Sequence, residues 1–265
     1  MRGAWRLQGG LATVTQALAD RLPDERKRLN ATVTRLTKTE VGITARLGNG
    51  ETFSADKVVL ALPPRLAAGI SYLPALPGDA IQAMLDIATW MAGQAKAVAV
   101  YDTPFWRDEG LSGDATSHLG PMVEVHDASP FKGGPHALFG FIGVPPDNRS
   151  DEQALRQHLQ AQLGRLFGSK AARPAQLYIK DWALDPQTST EADKAPVYAH
   201  PIYGMPHALT NLWDNSLHFG GTEVAPQFGG YIEGALEAAE NVAKTAVLMR
   251  PVEPFCGRSF VGTQY

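Results

Sequence analysis

Hydrophobic positions recur at two spacings along the chain, and these spacings predict both helices and strands. Leucine and valine return every three or four positions over 11–22, a segment that follows a Gly-Gly turn and ends at Pro23, and over 151–166. Further helices are predicted over 79–87 and over the small-residue-rich segment 231–249. Apolar or alternating runs predict strands at 33–36, 41–47, 57–62, 95–101, 136–143, 178–182 and 217–221. Such a mixture is typical of an α/β fold with mixed sheets.

The predicted strand at 57–62 differs from the others. After Lys57 its residues form a continuous apolar run that stops at Pro63-Pro64. Continuous runs are typical of parallel strands buried on both faces, so we expect this strand near the centre of a sheet. Before it, the predicted strand 41–47, the tight turn Gly48-Asn49-Gly50 and a returning segment through Phe53 predict a β-hairpin.

A glycine-rich segment late in the chain joins a predicted strand to a predicted helix. The strand 217–221 runs into Gly220-Gly221, and the helix begins after Gly229-Gly230. Glycines let the backbone approach a flat ligand closely, and a helix N-terminus favours partial negative charge, which a reduced flavin carries at its pyrimidine edge. The same pattern also suits a strand, turn and helix whose glycines serve packing alone. Composition does not choose between these two interpretations.

Composition describes an ordinary globular chain. It has 265 residues, 44% of them hydrophobic and 19% charged, and a formal net charge of -3. One large domain or two interleaved domains are therefore expected, and a nucleic-acid partner is not. The opening residues form no apolar signal core and no apolar run is long enough to span a bilayer, so we expect neither export nor membrane insertion.

Cysteine and histidine usage narrows the chemistry further. Cys256 is the only cysteine, which excludes an intrachain disulfide and favours a cytoplasmic location. The histidines show neither the spacing of metal ligands nor a pairing with a serine or cysteine nucleophile. The sequence therefore predicts no metal site and no hydrolase triad.

The segment from Phe219 to Ala235 contains Phe-Gly-Gly-Thr-Glu and Gly-Gly-Tyr-Ile-Glu-Gly-Ala. It resembles the C-terminal signature of flavin-containing amine oxidases, the family that includes monoamine and polyamine oxidases. The resemblance implies that FAD is the cofactor and that Tyr231 faces the substrate. It assigns contacts with the flavin to five further residues, which are Gly221, Thr222, Glu223, Gly230 and Ile232.

Three other stretches resemble the family in the same order along the chain. Residues Trp5 to Gly10 are similar to its Gly-Gly element, and Arg28 to Leu36 to the strand whose valine, here Val33, supports the adenine. Residues Ala55 to Pro64 are similar to the strand and proline pair that return towards the cofactor. The resemblance thus covers most of the chain.

Lys96 and Trp182 are the side chains that the resemblance places beside the flavin. Family members carry a lysine at the Lys96 position, linked through water to flavin N5. A cation there orders the water that helps reduced flavin meet oxygen, and a buried lysine readily shifts its proton affinity. Without the motif, Lys96 would be an ordinary strand lysine and Trp182 a core tryptophan.

One aromatic position of the family is not aromatic here. Classical members carry a second aromatic residue ten positions after the tryptophan, and it pairs with the counterpart of Tyr231 to form a cage for a neutral amine. That position is Ala192, so one wall of the cage is missing unless Tyr198 supplies it. No cysteine lies in this stretch, and we therefore expect FAD to be bound noncovalently.

The strand, Gly-x-Gly-x-x-Gly turn and helix that hold the ADP part of FAD in this family are not found in these residues. The chain is then an expressed fragment, a shortened reading frame or a natural half. We expect residues 1–64 and 205–265 to form a partial FAD-binding domain and residues 65–204 a substrate-binding domain. Alone, the chain is expected to bind FAD weakly or not at all, and to associate with a separate N-terminal half or with itself.

The function that these features predict is FAD-dependent oxidation of a C–N bond of a small-molecule amine, by hydride transfer to the flavin with oxygen as acceptor. A non-catalytic subunit that binds a partner carrying the Gly-x-Gly-x-x-Gly domain is the first alternative, favoured by the absent motif and by Ala192. A flavin desaturase of the carotenoid type is the second alternative. The segment Pro104 to Arg107 resembles amine oxidases more closely.

Overall fold

The computed structural model describes residue 7 and residues 9–130, 132–195 and 197–247. Its helices are α1 (Ala12–Ala19), α2 (Pro64–Ala67), α3 (Gly78–Asp86), α4 (Phe105–Asp108), α5 (Glu152–Phe167) and α6 (Ile232–Val247). Its strands are β1 (Val33–Thr39), β2 (Gly42–Leu47), β3 (Thr52–Ala55), β4 (Val58–Leu60), β5 (Ser71–Leu73), β6 (Ala95–Tyr101), β7 (Ala115–Thr116), β8 (Met122–Asp127), β9 (His136–Ile142), β10 (Gln176–Asp181) and β11 (Leu217–Phe219). Trp5 and Cys256 lie outside the described residues.

The described strands form three sheets. The order β3-β2-β1-β5 gives a four-stranded sheet, in which β5 runs parallel to β1 and the other pairs are antiparallel. The order β10-β6-β9-β8-β7 gives an antiparallel five-stranded sheet. The third sheet is the parallel pair β11-β4. The predicted α/β class with mixed sheets is confirmed.

Two hydrophobic cores hold these sheets. The first contains side chains from β1, β2, α2, α3, β11 and α6, among them Leu36, Met84 and Phe219. The second lies between the inward face of the five-stranded sheet and α5, which contributes Leu159 and Leu163. The proposed division of the chain at residues 64 and 205 stays a prediction.

The helix α5 shows how local sequence signals set the ends of an element. The Asp151 carboxylate accepts a hydrogen bond from Ala154 N at 3.0 Å, so Asp151 is the N-cap of the helix. The helix ends at Gly168, whose φ of 86° suits glycine. Other predicted elements are also confirmed to within a few residues. They are the hairpin-rich segment 33–53, the helix at 79–87, and the strands at 95–101, 136–143 and 178–182. The helix predicted at 231–249 is confirmed up to residue 247, the last described residue.

The predicted strand at 57–62 forms as β4, but the expectation that it lies near the centre of a sheet and is buried on both faces is wrong. Only Val58 to Leu60 form a strand, and among the described residues this strand pairs with β11 alone. The Val59 side chain is 44% exposed. A parallel strand is buried on both faces only when neighbouring strands flank it and helices cover it, and the described residues supply one neighbour.

The predicted helix over 11–22 forms as α1, but its apolar face is uncovered. Leu11, Leu18 and Leu22 are each more than half exposed, at 63%, 52% and 53%, and α1 contains no buried residue. An exposed apolar surface of this kind is typical of an interaction surface. No helix within the described ranges is both long and apolar enough to cross a membrane.

A buried carboxylate joins the two cores. Asp193, which is 2% exposed, accepts hydrogen bonds from Arg65 Nη1 at 2.6 Å and from the Thr190 backbone N and Oγ1 at 2.8 and 2.7 Å. Arg65 belongs to α2 and also donates through Nε to the Leu85 carbonyl at the end of α3. The loop after β10 is thereby tied to two helices of the first core.

We expect Asp193→Ala to lower the free energy of unfolding by about 3–5 kcal/mol, because it leaves the guanidinium of Arg65, whose side chain is only 14% exposed, without its carboxylate partner. Urea titration followed by circular dichroism measures this change. Glu191→Ala is the control, since Glu191 lies in the same turn with its side chain 84% exposed, and its effect should stay within about 0.5 kcal/mol. Equal effects of the two substitutions would contradict the prediction.

Candidate functional site

Lys96 lies on the outward face of the five-stranded sheet, above aromatic rings. Its Nζ is 4.5 Å from the centroid of Phe141, 5.4 Å from that of Trp182 and 6.0 Å from that of Phe139. Phe141 is the cross-strand neighbour of Lys96. These distances are those of cation–π contacts, so the structure brings the predicted residues Lys96 and Trp182 together.

Trp182 is held beside Lys96 by the backbone. Its N–H donates to the Gln94 carbonyl at 3.1 Å, and its own carbonyl accepts a hydrogen bond from Ser189 Oγ at 2.7 Å. Lys96, Trp182 and Trp90 line a cavity of about 230 Å³. Trp90 therefore borders the Lys96 cavity from the turn that precedes β6.

The glycine-rich segment follows the predicted course of strand, turn and helix. A Cβ on Gly220 would lie 2.8 Å from Val59 in the neighbouring strand β4. Residues Thr222–Val224 form one turn of 3₁₀ helix, and Thr222 Oγ1 donates to the Tyr231 carbonyl at 2.7 Å. This bond holds the N-terminus of α6 against the end of the strand.

Four aromatic rings cluster at the start of α6. The His200 ring is parallel to Tyr231, with 5.4 Å between centroids and 6° between planes, and it also contacts Trp90 at 4.9 Å and Tyr203 at 5.5 Å. The Tyr203 hydroxyl donates to the Ala88 carbonyl and accepts from Trp90 N. Since Trp90 also lines the Lys96 cavity, the two groups of predicted residues adjoin one another.

Tyr198 does not supply the aromatic wall that is missing at Ala192. Ala192 lies in the 3₁₀ turn Glu191–Asp193, and Tyr198 is 93% exposed. His200 is the ring that stacks on Tyr231. The sequence analysis did not identify His200, Trp90 and Tyr203 as residues of the site. The signal that could have indicated His200 and Tyr203 is the group of aromatic residues that follows Ala192.

Glu223 is a buried carboxylate at the glycine turn, 5% exposed. Burial raises the pKa of its carboxyl, the hydrogen bond from its own backbone N–H lowers it, and the negative charge of Asp193 raises it further. Arg65 pairs with Asp193 instead of with Glu223. Glu223 therefore favours its protonated form more than an ordinary glutamate does.

The glycine turn fits the ring-facing part of a flavin. Gly230 has a φ of 82°, and beside it Tyr231 and Ile232 are 59% and 54% exposed at the N-terminus of α6. A helix N-terminus with exposed apolar side chains beside it suits a flat anionic ligand.

The remaining predicted residues lie in different places. Gly221 is packed within the turn, where a Cβ would lie 3.0 Å from the Glu223 carboxylate and 3.2 Å from the Leu62 carbonyl. Val33 begins β1, half-buried against the first core, and belongs to neither the Lys96 group nor the ring cluster. Within the residues that the structure describes, no three His, Cys, Asp or Glu side chains are placed to hold a metal ion.

Comparison with known proteins gives consistent results. The family model described as flavin containing amine oxidoreductase matches residues 1–247. A Dictyostelium discoideum protein named "Probable flavin-containing monoamine oxidase A" is 30% identical over 251 residues, which is 90% of this chain and 52% of that protein. The chain spans about half the length of the relatives it matches.

Two solved structures have the same fold over most of the chain. A putrescine oxidase bound to putrescine is 27% identical with a TM-score of 0.69, and the alignment covers 91% of this chain and 53% of that one. Cyclohexylamine oxidase from Brevibacterium oxydans is 25% identical with a TM-score of 0.71, again covering 91% and 53% of the two chains.

Gly230→Ala should disturb the ring cluster, because the new Cβ would lie 3.0 Å from both His200 Nε2 and Tyr203 Cε2. Gly168→Ala is the matched control, since Gly168 has a similar φ of 86° with nothing within 4 Å. Both substitutions carry the positive-φ penalty of about 1 kcal/mol. Gly230→Ala should lower the melting temperature more than Gly168→Ala does, and only Gly230→Ala should change the near-UV circular dichroism of the aromatic residues. Identical effects would mean that the rings do not depend on this glycine.

Glu223→Gln should gain stability relative to the wild type as the pH rises. A raised carboxyl pKa means that the folded state binds its proton more tightly than the unfolded state. The stability that the protonated form contributes is present below the ordinary pKa of 4.5 and is lost as the pH rises through the folded-state pKa. Urea unfolding of both proteins between about pH 4 and 8 tests this. A stability difference that does not vary with pH would refute it.

Proposed function

Since the chain belongs to the family of flavin-containing amine oxidoreductases, we propose that it forms part of an FAD-dependent oxidase that acts on the C–N bond of a small-molecule amine. The observation that carries the proposal is the Lys96 cavity, whose Trp90 wall continues through His200 to Tyr231 at the glycine turn. A basic side chain, aromatic walls and a glycine turn thus adjoin one another.

FAD, when bound, supplies the two-electron acceptor for the hydride that leaves the amine carbon. By resemblance, Thr222, Glu223, Gly230 and Ile232 would hold the flavin, and Gly221 and Val33 would complete its contacts. We propose noncovalent binding, because no cysteine lies between Trp182 and Tyr231 and Cys256 is the only cysteine of the chain.

Lys96 is proposed to hold a water molecule on the side of the site where oxygen reacts. Its ammonium group lies over Phe141 and Trp182, which fixes the position of the charge and keeps bulk solvent from one side. A fixed positive charge stabilises negative charge that develops on oxygen. Tyr231 is proposed to face the amine and orient it.

We propose that a polypeptide segment carrying the ADP-binding motif completes the site. We also propose that the protein is cytoplasmic. Three observations support such a segment: the uncovered apolar face of α1, the half-exposed Val59 of a two-stranded parallel sheet, and a match to about half the length of the relatives. A two-stranded sheet is marginal by itself. Self-association is the other way to cover these surfaces. A non-catalytic role has no support among the matched relatives, which are named as amine oxidases.

The proposed function is tested by purifying the chain alone and together with a half that carries the Gly-x-Gly-x-x-Gly motif. We expect flavin absorbance in the combined protein and its anaerobic bleaching by an amine. Analytical ultracentrifugation distinguishes a two-part assembly from self-association. A combined protein with bound flavin that no amine reduces would overturn the proposal.

Lys96→Met should slow the reaction of the reduced flavin with oxygen roughly 100-fold, because a fixed charge is removed from the reacting oxygen. Reduction by the amine should change much less. Stopped-flow absorbance separates the two half-reactions. Lys180→Met is the matched control, since Lys180 is the cross-strand neighbour of Lys96 and pairs with Asp185. Equal effects of the two variants on the oxygen reaction would contradict the role given to Lys96.

A further inference from the structure

One buried guanidinium joins the ends of three neighbouring strands of the five-stranded sheet. Arg149 follows β9 in the loop that leads to α5, and it is 5% exposed. It donates through Nε and Nη2 to the two carboxylate oxygens of Asp181, at 2.6 and 2.8 Å. Nη1 donates to the Val144 carbonyl at 2.5 Å, and Nη2 also donates to the Gly93 carbonyl at 2.8 Å. These bonds connect the end of β10, the loop after β9 and the turn before β6.

Strand register brings these three ends together. Ala95, the first residue of β6, is opposite Asp181 on β10 and opposite Ile142 on β9. Ala95 is fully buried in the core beneath the sheet, and side chains at directly opposed positions project from the same face. The Asp181 carboxylate therefore lies on the inward face, whereas Lys180 and Lys96, which oppose one another one position away, project outward.

Trp182 directly follows Asp181, and the ion pair holds the backbone on both sides of it. The Asp181 Oδ1 atom that pairs with Arg149 also accepts a hydrogen bond from Ala183 N at 3.0 Å. Trp182 is therefore the central residue of a short turn that this carboxylate closes. The Trp182 N–H donates to the Gln94 carbonyl, one residue after the carbonyl that Arg149 bonds.

Two walls of the Lys96 cavity thus depend on one charged group. Trp182 and Gln94 both line this cavity, and the Trp182 ring centroid lies 5.4 Å from Lys96 Nζ. The side chains of Arg149 and Asp181 are only 2% and 12% exposed. Because the desolvation of two buried charges offsets most of their attraction, a gain in stability does not account for this pair. Its distinctive effect is on the geometry of the cavity.

We propose that Arg149 is a positioning residue of the site. Acting through Asp181 and Gly93, it holds Trp182 and the turn before β6 at the spacing that keeps the Lys96 ammonium over the Trp182 ring. Arg149 itself lines a different cavity, of about 250 Å³, and takes no part in the redox step. The consequence for catalysis rests on the proposed function, in which Lys96 promotes the reaction of the reduced flavin with oxygen.

The geometric part is tested on the full chain without flavin or amine. Tryptophan is replaced by fluorotryptophan, and the fluorine NMR resonance of Trp182 is identified by its loss in Trp182→Phe. Arg149→Met should shift or broaden this resonance, because the turn that holds the ring loses its partner. Arg149→Lys should do the same while keeping the charge, since a single ammonium nitrogen does not reproduce the fork of the guanidinium.

Arg156→Met is the matched control. Arg156 also joins α5 to β10, but through the Leu177 carbonyl at the opposite end of that strand. This variant removes the same charge from the same core and should leave the Trp182 resonance where it is in the wild type. An unchanged Trp182 resonance in both Arg149 variants, or an equal shift in Arg156→Met, would overturn the inference.

The consequence for catalysis is measured in the flavin-loaded protein by stopped-flow absorbance. Arg149→Lys should slow the reaction of the reduced flavin with oxygen about 10- to 100-fold, the range expected when a reacting group is misplaced by about 1 Å. Reduction by the amine should change much less. In the double variant with Lys96→Met the two losses should not multiply, because Arg149 acts through Lys96.

Fully multiplicative losses would show that Arg149 acts independently of Lys96 and would refute its positioning role. If the wild type binds flavin but oxidises no amine, the proposed function fails. The fluorine resonance of Trp182 then still decides whether Arg149 sets the position of the ring, because that measurement needs neither flavin nor turnover.

Discussion

The arrangement of the two hydrophobic cores depends on the buried carboxylate of Asp193. Its oxygens accept hydrogen bonds from Arg65 of α2, from the backbone and hydroxyl of Thr190, and from the Thr89 backbone N–H at 3.4 Å. A buried charge is tolerated only when its partners surround it. The loop after β10, the helix α2 and the turn before β6 are thus fixed relative to one another, although they belong to different cores.

The candidate site lies where this connection brings the two cores together. The turn that carries Thr89 continues into Trp90, whose backbone N–H donates a hydrogen bond to the Tyr203 hydroxyl oxygen. Trp90 then contacts His200, and His200 stacks on Tyr231 at the start of α6. The glycines at 229 and 230 leave room for these rings, since a Cβ on Gly229 would lie 2.4 Å from Tyr203. Side-chain size in the glycine turn is therefore constrained by packing as well as by any ligand.

The two sides of the site differ in how well their side chains are packed against the rest of the protein. The side formed by the five-stranded sheet rests on a closed core with α5, so Lys96 and Phe141 are presented by rigid backbone. The glycine-turn side leaves Tyr231 and Ile232 more than half exposed, and α1 and β4 also carry uncovered apolar side chains. The sheet side of the site is therefore packed against a core, whereas the glycine-turn side is open in the residues that the structure describes.

The sequence by itself determined the elements whose signals are local. Leucine spacing is enough to predict α5, and the glycines of residues 219–235 located the turn before α6. The family resemblance of the segments around Lys96 and Trp182 predicted that these two side chains lie beside the same cofactor. Only the tertiary structure decided that His200 stacks on Tyr231, that Asp193 joins the cores, and that Arg149 joins the ends of three strands. Helix periods and caps are properties of neighbouring residues, whereas these contacts join segments far apart in the chain through strand register and loop conformation.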